Sequence, residues 1–104
     1  MNLYHLRYFT TLARYEHYTR AAEELMITQP SLSHAIAAME DELGVKLFEK
    51  EGRNVVLTRF GHIFLQDVER ALAVLDGAIT TMQMAGSGSG TIELGFLRTL
   101  GTEM

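Results

Sequence analysis

TRAAEELMITQPSLSHAIAAMEDELG, residues 19–44, is the stretch that decides the fold. Its second half is a helix bounded at both ends. Thr28 stands where an N-cap side chain accepts from first-turn amides, and Pro30 follows inside that turn, where a missing N–H costs nothing. Gly44 offers the left-handed conformation that stops a helix. Between these limits Leu32, Ile36, Met39 and Leu43 recur at spacings of four, three and four, which describes one buried stripe. The first half predicts a shorter helix over Arg20–Leu25 with Thr19 as its cap. Ala21, Ala22 and Leu25 share one face of it, and the small side chains let a second helix approach closely. Only Met26, Ile27 and Thr28 separate the two helices, the arrangement of a helix-turn-helix.

Upstream, Leu3, Leu6, Phe9 and Leu12 recur every third residue, with Tyr8 and Ala13 broadening the stripe, so an amphipathic helix is expected from about residue 3 to Tyr15. Downstream, Val45–Phe48 and Val55–Leu57 are β-prone and flank Glu49–Asn54, a loop in which Gly52 and Asn54 tolerate positive φ; a small hairpin follows. Phe9, Leu12, Ala22, Leu25, Leu32, Ile36, Leu43, Leu47 and Phe48 form the expected core. Thr58 then caps a long helix over residues 59–85, in which Leu65, Val68, Leu72, Leu75, Ile79 and Met82 repeat as an a/d heptad. Such a helix is about 40 Å long, too long for so small a head to cover, so the seam is expected to dimerise. The fold class that results is mainly α: a winged helix-turn-helix of three helices and a β-hairpin wing over 1–58, then the dimerisation helix over 59–85. Residues 86–104 read as a Gly/Ser hinge and a strand, Thr91–Leu97, with no sheet to join; the chain is expected to be the front of a longer protein.

Composition narrows the chemistry. With 104 residues and 47% hydrophobic content the chain can bury one modest core. It has no cysteine, which excludes disulfides, thiolate metal sites and a cysteine nucleophile. No apolar run approaches a membrane span and no secretory leader opens the sequence, so a soluble cytoplasmic protein is expected. The net charge of -4 is unevenly spread: residues 1–44 and 63–104 are acidic on balance, whereas 45–62 holds Lys46, Lys50, Arg53 and Arg59 against Glu49 and Glu51. The net-positive stretch is the hairpin, where a wing would meet phosphates.

Leu6, Arg7, Tyr8 and Phe9, then Thr19–Ala22, then Gln29–Ser33, together resemble the opening motif of the LysR family of bacterial transcriptional regulators. Ile36, Glu40, Leu43, Gly44, Leu47, Phe48, Arg53, Leu57, Thr58 and Gly61 continue the likeness, which covers residues 3–65 without a gap; Ile92, Leu94 and Gly95 after the hinge resemble the family's first effector-domain strand. The resemblance implies a sequence-specific regulator that binds double-stranded DNA as a homodimer or tetramer, with a small-molecule effector domain after the hinge, no cofactor and no enzymatic chemistry. The chain departs from the pattern at His34, where family members often carry Arg, at Ala37 and Ala38, often basic, and at Lys50, commonly Arg.

The residues expected at DNA are those of the helix-turn-helix and the wing. Gln29, Pro30, Ser31, Ser33 and His34 begin the third helix, the part of a recognition helix that reaches base edges, with Thr28 before them. Gln pairs bidentately with adenine, and serine bonds many edges or a phosphate. Thr19 and Arg20 open the helix that crosses the DNA backbone; for Arg20 a helix-surface pair with Glu23 or Glu24 is the plainer alternative. Lys50 and Arg53 at the hairpin would clamp phosphates or enter the minor groove. Ser33 and His34, being adjacent, point about 100° apart and form no nucleophile–base pair, and His5, His17 and His62 lack ligand spacing, so neither catalysis nor a metal is expected. The acidic balance and the alanines of the third helix leave one alternative: a winged-helix interaction or dimerisation module that does not bind DNA.

Overall fold

The computed structural model describes residues 1–87; the rest of the expected hinge and the strand Thr91–Leu97 lie outside the described residues. In chain order the elements are α1 (Leu3–Tyr15), α2 (Tyr18–Leu25), α3 (Gln29–Leu43), β1 (Phe48–Glu51), β2 (Asn54–Leu57) and α4 (Arg59–Gly86). The helices start and stop where side chains supply local partners. Asn2 Oδ1 accepts from His5 N–H at 2.9 Å to cap α1, and Thr28 Oγ1 accepts from Ser31 N–H at 3.2 Å to cap α3. At its other end α3 stops at Gly44 with φ 78°. The first two helices end instead on non-glycine residues in the left-handed region, Glu16 (φ 55°) and Met26 (φ 60°).

The cap of α2 corrects the expectation at Thr19. The helix begins at Tyr18, and His17 is its N-cap, Nδ1 accepting from Arg20 N–H at 3.2 Å. Histidine is an uncommon cap, but the unprotonated nitrogen of a neutral imidazole carries one in-plane lone pair that can accept a backbone N–H. The hairpin is tighter than its composition suggests. β1 starts at Phe48 and takes in Glu49, Lys50 and Glu51, pairing antiparallel in the register Phe48↔Leu57 and Glu51↔Asn54. Gly52, φ 65°, occupies the first central position of the two-residue turn, where positive φ is required. Both faces of this β1 segment are solvated after Phe48, so no alternation of apolar residues marks it.

The chain divides into two compact units, Met1–Arg70 and a second beginning at Ala71. The first unit takes in the start of α4, and the reason is aromatic. Phe9, fully buried, meets Phe48 edge-on at 5.5 Å and Phe64 of α4 at 5.3 Å between ring centroids. Around them Leu12, Leu32, Ile36, Met39 and Leu47 are wholly buried, and Ala21 and Ala22 lie at the packed face of α2. Two expected core residues sit nearer the surface: Leu25 is half-buried and Leu43 exposed.

Candidate nucleic-acid interface

The start of α3 presents a small ordered set of donors and acceptors. Thr28 Oγ1 accepts from Ser31 N–H and donates its proton to Ser31 Oγ at 2.9 Å. That leaves the Ser31 hydroxyl proton free to donate outward. Ser33 Oγ donates to Pro30 O at 3.3 Å, so its remaining capacity is as an acceptor. Gln29, Pro30, Ser31 and His34 are exposed and Ser33 half-buried, while Leu32, Ala35 and Ile36 anchor the opposite side of the helix. The amide of Gln29, the hydroxyl of Ser31 and the imidazole of His34 thus stand on rigid backbone with polar capacity turned to solvent.

Thr19 and Arg20 lie in the first turn of α2, both exposed. Neither alternative partner, Glu23 or Glu24, pairs with Arg20: Glu24 Oε1 accepts from Tyr15 Oη at 3.1 Å, and among the described residues Arg20 makes no ion pair. Lys50 stands in β1 and Arg53 in the turn, exposed and likewise without an ion pair among the described residues, whereas Lys46 lies 3.7 Å from Glu40. Three unpaired cations flank the first turns of two packed helices and a hairpin tip, an arrangement that can meet phosphates. Sequence reasoning missed three parts of this surface. His17 was hidden by the preference for Thr at a cap; Met26, exposed in the turn between α2 and α3, reads only as part of the break between the helices; Glu40 belongs to the family likeness, but no spacing shows what its carboxylate holds.

The α4 seam differs from the picture of an open heptad. Val68 and Leu72 are only 4% and 8% exposed in the single chain, and Leu65 and Leu75 half-buried. Ile79 at 42% and Met82 at 66% remain open. Within the single chain the seam is therefore covered at Val68 and Leu72 and open at Ile79 and Met82. A separate, mostly apolar depression on the head is lined by Leu43, Val45, Leu47, Phe60, Ile63 and Phe64 with Asp67 at its side, and Leu43, Phe60 and Ile63 there are exposed. Among the described residues no helix is long and apolar enough to cross a membrane, and no group of three His, Cys, Asp or Glu could hold a metal ion.

Residues 3–62 match the family of bacterial regulatory helix-turn-helix proteins, lysR family. The chain belongs to the LysR family. Among curated LysR relatives, the uncharacterised HTH-type transcriptional regulator YybE of Bacillus subtilis (strain 168) is 45% identical over 95% of this chain and 34% of its own length. The HTH-type transcriptional regulator BenM of Acinetobacter baylyi is 38% identical over 96% of this chain and 33% of its own length. The chain spans about a third of the length of these relatives. The BenM DBD solved with catB site 1 DNA has a TM-score of 0.79 at 38% identity, covering 86% of this chain and 96% of that one. The CbnR DBD–DNA complex has a TM-score of 0.75 at 32% identity, covering 83% and 99%. The winged helix-turn-helix is thus a LysR-type DNA-binding domain, and its relatives are transcriptional regulators. The LysR match ends in the first turn of α4, before the seam begins.

Proposed function

We propose that this chain is the cytoplasmic, operator-reading end of an effector-responsive transcription regulator, acting as a homodimer on a two-fold related site without enzymatic chemistry. Gln29, Ser31 and His34 read base edges in the major groove, and Pro30 and Ser33 contact the same surface. Thr19, Arg20 and the wing residues Lys50 and Arg53 hold phosphates. The observation that carries this is the start of α3: the Thr28–Ser31 hydroxyl pair spends its internal hydrogen bonds so that a donor faces outward beside an unencumbered glutamine. Preordered polar groups of this kind discriminate bases, because a wrong edge leaves them unpaired. The exposed Ile79 and Met82, with the depression around Phe60 and Ile63, support association of two copies. Two heads held by such an arm fit half-sites one turn of DNA apart, or a multiple.

The test is binding of the chain to a duplex pool across salt concentration. Each phosphate contact contributes a slope of about 0.9 in log affinity against log salt, so Arg20, Lys50 and Arg53 from two heads give a slope near about −5. Enrichment of one two-fold sequence from the pool is the expected companion result. Absence of any salt-dependent binding at about 50 mM salt overturns the proposal in favour of an interaction module.

A further inference from the structure

Glu40 sits in the last turns of α3, about 16 Å along the helix from Gln29, and it is only 10% exposed at the side chain. Its carboxylate serves another element. Oε2 accepts from Leu47 N–H at 2.8 Å and from Phe48 N–H at 3.2 Å, and Oε1 faces Lys46 Nζ at 3.7 Å. These are the amides at which the chain leaves the α3–β1 connection and becomes the wing, since Phe48 is the first residue of β1 and pairs with Leu57. The carbonyl sides of the same segment are fastened separately: Lys46 O accepts from Thr58 Oγ1 at 2.6 Å and Leu47 O from Thr58 N–H at 2.9 Å. On the other strand Val55 N–H donates to Glu16 O at 3.0 Å. Glu40 therefore ties the helix that carries Gln29 to the strand that carries Lys50.

A carboxylate is an expensive way to hold two amides if stability were the only requirement. Removing its charge from water is unfavourable, and an apolar contact of the same volume often stabilises as much. What the carboxylate adds is geometry, because charge-assisted bonds to two adjacent N–H groups fix both distance and direction. Its charge is also felt nearby, where burial first and the Glu40 carboxylate second raise the Tyr18 phenol above its ordinary value.

We propose that Glu40 is a positioning residue for DNA binding: it sets the wing against α3 so that Lys50 and Arg53 reach phosphates while Gln29 reaches a base edge. This rests on the DNA-binding reading above, and a double-mutant cycle separates the two. A homodimer loses two phosphate contacts when Arg53 is replaced, so Arg53→Ala flattens the salt slope by about two and weakens binding roughly 60-fold at 0.1 M salt. If Arg53→Ala changes neither, the wing does not touch DNA and the functional reading itself fails at that point.

With that control in place, Glu40→Ala weakens binding of the otherwise wild-type chain by at least about tenfold and flattens the slope. In a Lys50→Ala/Arg53→Ala background it costs less than about twofold, because no wing contact remains to be misplaced. Equal losses in the two backgrounds overturn the proposal, since Glu40 would then act through the stability of the head. Should circular dichroism show Glu40→Ala unfolded, Glu40→Gln runs through the same cycle. It keeps one acceptor oxygen for the amides but drops the charge facing Lys46, so its loss is smaller, at least about twofold, and again confined to the chain that has its wing cations. Loss of the same size in both backgrounds refutes the proposal for this variant too.

Discussion

Gly61→Ala should cost the head a large part of its stability, although alanine is the better helix former. Gly61 is buried in the first turn of α4, where an added Cβ would lie 2.2 Å from the carbonyl oxygen of Leu47 and 2.7 Å from Leu57 Cδ2. Leu57's side-chain tip can swing away. The carbonyl has less freedom, because it accepts from Thr58 N–H at 2.9 Å while the Leu47 amide is held by Glu40. Relief of about 1 Å is needed to restore an ordinary carbon–oxygen contact, and it must come from separating α4 from the entrance to β1. Overpacking of this kind costs about 1–3 kcal/mol and a weakened buried hydrogen bond about 1 more, against a gain of up to about 1 from helix propensity.

The net loss is about 1–3 kcal/mol, from a head whose size implies roughly 4–10 kcal/mol in all. Urea unfolding followed by circular dichroism at fixed protein concentration should show the midpoint falling by about 2 M, taking a slope near 1 kcal/mol per molar for so small a unit. Gly77→Ala is the control, since nothing lies within 4 Å of its added Cβ; that midpoint should stay or rise. A Gly61→Ala midpoint equal to or above wild type refutes the close approach of α4 to Leu47.

At the interface, Gln29→Ala should cost about 1–3 kcal/mol on the preferred duplex and leave binding to random duplex nearly intact; equal losses on both would show that Gln29 reads no base. Ile79→Asp with Met82→Asp should split the dimer without unfolding the head, because both side chains are exposed in the single chain. Sedimentation decides this, and a double variant that still runs as a dimer removes these two positions from the interface. The Tyr18 phenol is held above its ordinary 10.0, by burial first and by Glu40 second, so the folded chain keeps that proton more tightly than the unfolded one. Its contribution to stability is present below pH 10.0 and lost as pH rises through the raised value; Tyr18→Phe should flatten the alkaline fall of the urea midpoint, and an unchanged fall would contradict the assignment.

Whatever is decided within one or two helical turns was legible in the sequence. The cap at Thr28, Pro30 in the first turn, the stop at Gly44 and the stripe Leu32–Ile36–Met39 all rest on contacts three or four residues apart, and such contacts leave a period in the residue order. The elements that carry the residues expected to meet DNA were legible for the same reason, since the start of a capped helix and the tip of a hairpin are local features. The cap of α2 was local as well, but two acceptors stood close together, and the chain took His17 over Thr19.

The rest was decided by tertiary structure alone. Phe64 joins the core of a head that the sequence closes at Thr58, because Phe9 offers its ring across the fold. Val68 and Leu72 are already buried in the single chain, which periodicity could not show, since a heptad records which side of a helix is apolar and not what covers it. Lys50 belongs to a strand because β2 supplies its hydrogen bonds, in a segment with no alternation to reveal it. Glu40 is the clearest case. Glu40 is part of the family likeness, but its place near the end of a helix does not say what it holds, and only folding brings the amides of Leu47 and Phe48 to its carboxylate and so ties the wing to α3.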